Sequence, residues 1–303
     1  MDQQAWNAPR VPADIPHGDM PGDKICIGEE HIRKAQVIYP LLRRELDALG
    51  GRRAVAAVCG GSGVGKSEIA SVLAYFLNRD GIGAYVMSGD NYPRRIPRDN
   101  DAERLRVYRQ GGLRGLVDRG LIAPEVSARL RQLWADERDA DPAAAREYPW
   151  LSVYQQSGRR ALTGYLGTPG ETDFDEVSGI LARFHQGEEA ICLKRMGREP
   201  AELWYERVDF SQTQALIVEW THGNSDFLEG VDIPILLNST PEETLAHRRM
   251  RSRDGKTDSA FTAMVLDIEQ KKLEAQAHKA RIILSKQGEL LSYADYRLLM
   301  AHE

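Results

Sequence analysis

Residues 60–67 read Gly60-Gly61-Ser62-Gly63-Val64-Gly65-Lys66-Ser67. The stretch fits G-x-x-x-x-G-K-[ST], a loop whose backbone N–H groups turn inward to cradle phosphate oxygens. In that pattern Lys66 reaches the β- and γ-phosphates and the Ser67 hydroxyl holds Mg²⁺. The flanks agree. Ala54 to Cys59 is a short apolar run that reads as a buried strand. Ile69, Val72, Leu73, Phe76 and Leu77 then recur at helical spacing. A phosphate would sit at a helix N-terminus, where unpaired N–H groups and the dipole favour an anion. The expected nucleotide-binding set is Gly61, Ser62, Gly63, Val64, Gly65, Lys66, Ser67 and Glu68.

The 303 residues are enough for one large α/β domain or two small ones, and for a full core without disulfide staples. A net charge of −5 argues against a general nucleic-acid binder. Cys26, Cys59 and Cys192 lie far apart and show no metal-ligand spacing, which suits a reducing cytoplasm. No apolar run approaches the length of a membrane span.

Residues 1–28, rich in proline and polar side chains, read as a flexible tail. The remainder, 29–303, reads as a single domain. A helix is expected from Glu29 to Leu49, kinked or divided by Pro40. Ala84 to Met87 is a second strand, and helices follow from Asp101 to Arg119, from Pro124, and from Leu151 to Tyr165. Thr172 is placed as the cap of the next helix. Ala190–Leu193, Ala215–Trp220, Pro234–Leu237 and Arg281–Leu284 are further strands, and a long helix runs from Thr262 to Lys279. Apolar strands alternating with helices imply a doubly wound, mostly parallel sheet flanked by helices.

Asp90 follows the second strand, at the sheet edge where ligands bind in open α/β folds. Its carboxylate suits either the proton of an attacking hydroxyl or a Mg²⁺ ion; a plain turn aspartate is the alternative. Glu219 ends the strand Leu216-Ile217-Val218, where an acid serves the metal or its water. The metal set is thus Ser67, Asp90 and Glu219. His222 is a substrate-contact candidate. Arg248, Arg249, Arg251, Arg253 and Lys256 cluster either as a solvated helix end or as a lid that neutralises a transferring phosphoryl group. Arg94, Arg95, Arg98, Arg104, Arg106 and Arg109 follow Asp90 either as anion readers or as a solvated face.

Together these residues resemble the P-loop small-molecule kinases that include uridine kinase, phosphoribulokinase and pantothenate kinase. The resemblance covers Ala54 to Leu284 with a divergent middle. Ser88-Gly89-Asp90-Asn91-Tyr92 is similar to the family's second-strand aspartate and following aromatic. Glu219-Trp220-Thr221-His222 resembles a Glu-Gly-Leu-His segment with Trp220 in place of glycine, and Arg248 to Asp254 resembles the lid. Leu193-Lys194-Arg195-Met196 stands where the family has Pro-x-Tyr-Asp.

The resemblance implies a P-loop NTPase fold with a helical insertion over 104–170 and an Arg-rich lid over 246–258. It implies ATP and Mg²⁺ as cofactors and transfer of the γ-phosphoryl group to a hydroxyl of a sugar, sugar phosphate, hydroxy-acid or nucleoside. Lys66, Asp90, Glu219, Arg249 and Arg253 would be catalytic, and Arg248 would join the nucleotide set. Asp90, Tyr92, Arg94, Arg195, Glu219 and His222 would face the acceptor. The expected partner is a small hydroxyl-bearing molecule, with neither nucleic acid nor membrane, and a homodimer is left open. A regulatory NTPase without acceptor and a toxin-like nucleotide-sugar kinase are the alternatives.

Overall fold

The computed structural model describes residues 8–12, 14–22, 25–240, 243–244 and 259–301. A six-stranded sheet organises them. Its strands are β1 (Ala54–Gly60), β2 (Ala84–Ser88), β5 (Ala215–Glu219), β6 (Ile233–Leu237), β7 (Ile282–Leu284) and β8 (Leu290–Leu291). The order across the sheet is β2-β5-β1-β6-β7-β8. The first five strands run parallel, and β8 adds an antiparallel edge. The phosphate-loop strand β1 is therefore central, and every residue of it is buried.

Alternation along the strands divides the core into two layers. Ala56, Val58 and Ile217 face α1 (Glu29–Ala48) and α2 (Lys66–Arg79). Val55, Leu216 and Val218 face α7 (Phe174–His185). A third core lies within the helices that follow β2. These are α3 (Pro97–Asp118), α4 (Pro124–Ala135), α5 (Pro142–Glu147) and α6 (Pro149–Thr163). Tyr108, Leu130, Leu133 and Tyr154 pack there with Val265 and Ile268 of α8 (Ala260–Gln276). Each of α3, α4, α5 and α6 has a proline at its start, where the missing N–H costs nothing. α9 (Tyr293–Ala301) closes the described chain.

Several expectations need correction. Ala190–Leu193 does not join the sheet. It is part of β3 (Ala190–Met196), which pairs antiparallel with β4 (Leu203–Asp209) as a separate hairpin. β4 is largely exposed, so it lacks the apolar run that would have announced it. α1 passes through Pro40 as one continuous helix. The cap of α7 is Asp173, whose side chain accepts from the Glu176 N–H.

Described residues of the expected tail lie against the domain. Ile15 is buried in the α1–α2 core. The Asp19 side chain is 7% exposed and ion-pairs with Arg195 at 2.9 Å. It also accepts from the Ser88 N–H at 2.7 Å and the Tyr85 hydroxyl at 3.2 Å. Arg195, Ser88, Tyr85 and Asn91 Nδ2 thus all converge on this one aspartate, despite the proline-rich composition around it. No helix among the described residues is long and apolar enough to cross a membrane.

Candidate active site

The phosphate loop leaves β1 and enters α2 through Gly65. That residue has φ 94° and serves as the helix N-cap. The left-handed conformation is open to glycine, and a Cβ there would stand 2.9 Å from the His31 ring. Lys66 Nζ donates to the Gly61 carbonyl at 3.1 Å, so the amine folds back over its own loop. The side chains of Val64 and Glu68 are buried. Their contribution to a nucleotide would come from backbone N–H groups.

Glu219 ends β5 in register with Ser88 of β2 and Val58 of β1. Parallel pairing thus brings three chain segments to one point. Glu219 Oε2 accepts from Ser67 Oγ at 3.0 Å and Oε1 from Ser88 Oγ at 2.5 Å. The carboxyl is 3% exposed. Burial, and then the Asp90 charge, push its pKa well above the ordinary range. Asp90 itself is exposed, in the single turn Gly89–Asn91 that follows β2.

Ser67, Asp90 and Glu219 offer hard oxygen donors at the phosphate-loop end. Among the described residues no group of three or more His, Cys, Asp or Glu side chains is placed to hold a metal ion. That donor set fits Mg²⁺, which keeps waters and takes one or two carboxylates plus substrate phosphates.

These groups open into a cavity of about 680 Å³. Lys66, Ser67, Asp90, Glu219 and His222 all line it. The Trp220 ring packs against Gly89, where a Cβ would lie 2.1 Å from Trp220 Cγ. Glycine at 89 is what admits tryptophan at 220. His222 meets Trp220 and Phe174 edge-to-face, with centroids at 5.4 and 6.0 Å. Burial holds its pKa down to about 4, so the ring is neutral near pH 7.

The helical segment over 104–170 walls the far side. Arg104 Nε donates to Glu171 Oε1 at 2.5 Å and its guanidinium stands 3.7 Å from Glu269. Burial pushes Glu171 upward, yet Arg104 holds it below the usual carboxylate range. Arg109 forms two hydrogen bonds to Asp139, at 3.1 and 3.2 Å. Met20, Pro21 and Gly22 of the supposed tail line the same cavity.

Three acceptor-side expectations fall elsewhere. Tyr92 is fully buried, with its hydroxyl accepting from the Lys194 N–H. Arg94 is tied to Asp173 and the Pro169 carbonyl. Arg195 is tied to Asp19, Glu206 and Tyr85. All three hold the fold together, and none lines the cavity. The lid candidates Arg248, Arg249 and Arg253, with the whole span 246–258, lie outside the described residues. Sequence reasoning missed Asn100, Glu137, Asp139, Glu171 and Glu269. Isolated polar residues, whether in helices as Asn100 and Glu269 are or in turns as Glu137, Asp139 and Glu171 are, carry no signal of what they face until the elements are packed.

Loop, central strand and adjoining acid define a P-loop nucleotide-binding protein. No family model matches the chain. It is 38% identical over 258 residues to the bifunctional alpha-galactosidase/sucrose kinase AgaSK of Mediterraneibacter gnavus. That similarity covers 85% of this chain but only 23% of the relative, so the chain spans about a quarter of the length of the curated protein it matches. Among solved structures it is similar to a D-glycerate 3-kinase of Cryptococcus neoformans, with TM-score 0.49 and 9% identity over 85% of this chain and 97% of that one. It is also similar to a proposed fructose transport system kinase of Silicibacter sp. TM1040, with TM-score 0.47 and 18% identity over 80% and 94%.

Proposed function

We propose that the chain is an ATP-dependent kinase that phosphorylates a hydroxyl of a neutral sugar. The observation that carries this reading is the composition of the single cavity that joins Lys66 to Asp90. Its described lining holds six carboxylates (Asp90, Asp101, Glu137, Asp139, Glu219, Glu269) against four cations (Lys66, Arg104, Arg109, Arg198). Lys66 belongs to the nucleotide phosphates, Arg104 is engaged by Glu171, Glu269 and Asp101, and Arg109 by Asp139. A sugar phosphate or hydroxy-acid would find the helical cations Arg104 and Arg109 already paired with carboxylates. A neutral polyol would meet fixed acceptors and donors. The relative's sucrose kinase name points the same way.

In this reading the loop N–H groups and Lys66 bind the ATP phosphates. Ser67 and Glu219, with Asp90 beside them, would hold Mg²⁺, which neutralises charge on the phosphates. Asp90 orients the acceptor hydroxyl and takes its proton as that oxygen bonds to the γ-phosphorus and the bond to ADP breaks. Lid arginines Arg248, Arg249 and Arg253 would meet the equatorial oxygens.

The test is ADP release with sucrose, hexoses, sugar phosphates, glycerate and nucleosides. A neutral sugar should raise the rate far above background hydrolysis. If no sugar did so, the proposal would fail. If a phosphorylated sugar or glycerate were preferred, the charge argument would fail.

A further inference from the structure

One wall of the cavity has no task in the reaction described so far. Phe261, Thr262, Val265, Leu266 and Glu269 of α8 all line it. Steps of three and four residues carry that stripe along one side of the helix. It is apolar apart from Thr262 and Glu269, and Glu269 stands one turn beyond Val265 and Leu266.

The Glu269 side chain is 14% exposed, and the Arg104 guanidinium approaches it at 3.7 Å, too far for a hydrogen bond. Among the described residues no hydrogen bond reaches either carboxylate oxygen. Burial pushes its pKa upward; Arg104 and Lys66 oppose that shift, and Glu171 and Asp90 add to it. The carboxylate is therefore close enough to feel both the phosphate-loop lysine and the turn that carries Asp90.

A largely buried carboxylate without hydrogen bonds calls for a donor from outside the chain. The nucleotide phosphates cannot supply it, because they bring acceptor oxygens and like charge. A neutral hydroxyl can, since it donates a proton without adding charge. The apolar turn before Glu269 suits the C–H face of a sugar ring, whose edge then carries hydroxyls towards the carboxylate.

We propose that Glu269 is a specificity-determining residue for the acceptor: its carboxylate accepts a hydrogen bond from a sugar hydroxyl other than the one that is phosphorylated, while Val265 and Leu266 support the ring. Asp90 and Glu269 then hold two hydroxyls of one acceptor and fix which of them meets the γ-phosphate. This inference rests on the sugar kinase reading above.

The probes are the neutral sugar that wild type phosphorylates fastest in the ADP-release screen and its monodeoxy forms, each lacking one hydroxyl that does not react. In wild type one monodeoxy form should lose about tenfold in kcat/KM, the scale of one hydrogen bond to a charged group. Glu269→Ala should cost the complete sugar a similar factor, mainly in KM, and should turn over that monodeoxy form as well as the complete sugar. Its ATP affinity, read by calorimetry, should stay near wild type. Glu269→Gln keeps the side-chain length and should lose less in the same direction; it decides the matter should Glu269→Ala be unstable. An unchanged sugar KM in a folded variant overturns the inference and leaves the sugar kinase reading intact. So does a deoxy penalty that is equal in wild type and Glu269→Ala at every position, or an ATP affinity that falls in step with the sugar's. A wild type inactive on every sugar brings down that reading and this inference together.

Discussion

Asp19 gives the sharpest quantitative test of the docked N-terminal segment. Burial lifts its pKa from 3.8 to about 6, against the lowering effects of Arg195, Ser88 and Tyr85. Between those values the native chain keeps a proton that the unfolded chain has lost. The stability this group contributes is therefore complete below pH 3.8 and is lost as pH rises through about 6. The full swing is about 3 kcal/mol at about 1.4 kcal/mol per unit. Most of the titration above pH 5 belongs to the native state, so between pH 7 and pH 5 the share is about 1.3 kcal/mol. Asp19→Asn abolishes that titration but keeps an oxygen for the Ser88 N–H. Urea unfolding of both proteins at pH 5, 6 and 7 should show wild type gaining about 1.3 kcal/mol on the variant as the pH falls. Every other titrating group cancels in that difference. Parallel stability curves would mean that Asp19 is solvated and that the segment does not dock as described.

Three further outcomes are expected. Lys66→Ala should abolish turnover, whereas Asp90→Asn should lower kcat by two orders of magnitude or more while ATP binding, read by calorimetry, stays near wild type. Gly89→Ala places a Cβ 2.1 Å from Trp220 Cγ; the clash should cost about 1–3 kcal/mol in chemical unfolding and depress activity by moving the Asp90 turn. Arg104→Ala leaves Glu171, 1% exposed, without its cation; a loss of about 3–5 kcal/mol is expected by the same assay.

The donor half of the site was legible because its signal is local. Gly60 to Ser67 fixes a loop by its own composition, and the runs on either side identify a strand and a helix without reference to the rest of the chain. Asp90 and Glu219 were legible because strand ends in a parallel sheet converge at one edge. The acceptor half depends on contacts distant in sequence. Arg104 acquires its meaning from Glu171 and Glu269, and Arg109 from Asp139. Tyr92, Arg94 and Arg195 misled for the converse reason. They lie near Asp90 or the strand that faces it, but their side chains turn to Lys194, Asp173 and Asp19. Composition misjudged the described N-terminal residues, since Ile15 enters the core and Asp19 forms a buried ion pair with Arg195.

That ion pair also bears on how the two halves are held together. Asp19 Oδ1 accepts from the Ser88 N–H at 2.7 Å and from Asn91 Nδ2 at 3.1 Å. Those residues bracket Asp90. Asn91 Oδ1 in turn accepts from the Met196 N–H at 3.0 Å, at the end of β3, and Asp19 pairs with Arg195 on that strand. A carboxylate from outside the sheet thus ties the Asp90 turn to the β3–β4 hairpin. The next residues, Met20 to Gly22, reach the cavity. A turn carrying the proposed proton acceptor must hold its geometry without a long helix or strand to stiffen it. Here the stiffness comes from a segment whose described residues contribute no strand or helix. Removing residues 8–22 should therefore lower kcat through Asp90 rather than weaken ATP at the phosphate loop. An ATP affinity lost in parallel with kcat would argue against that division.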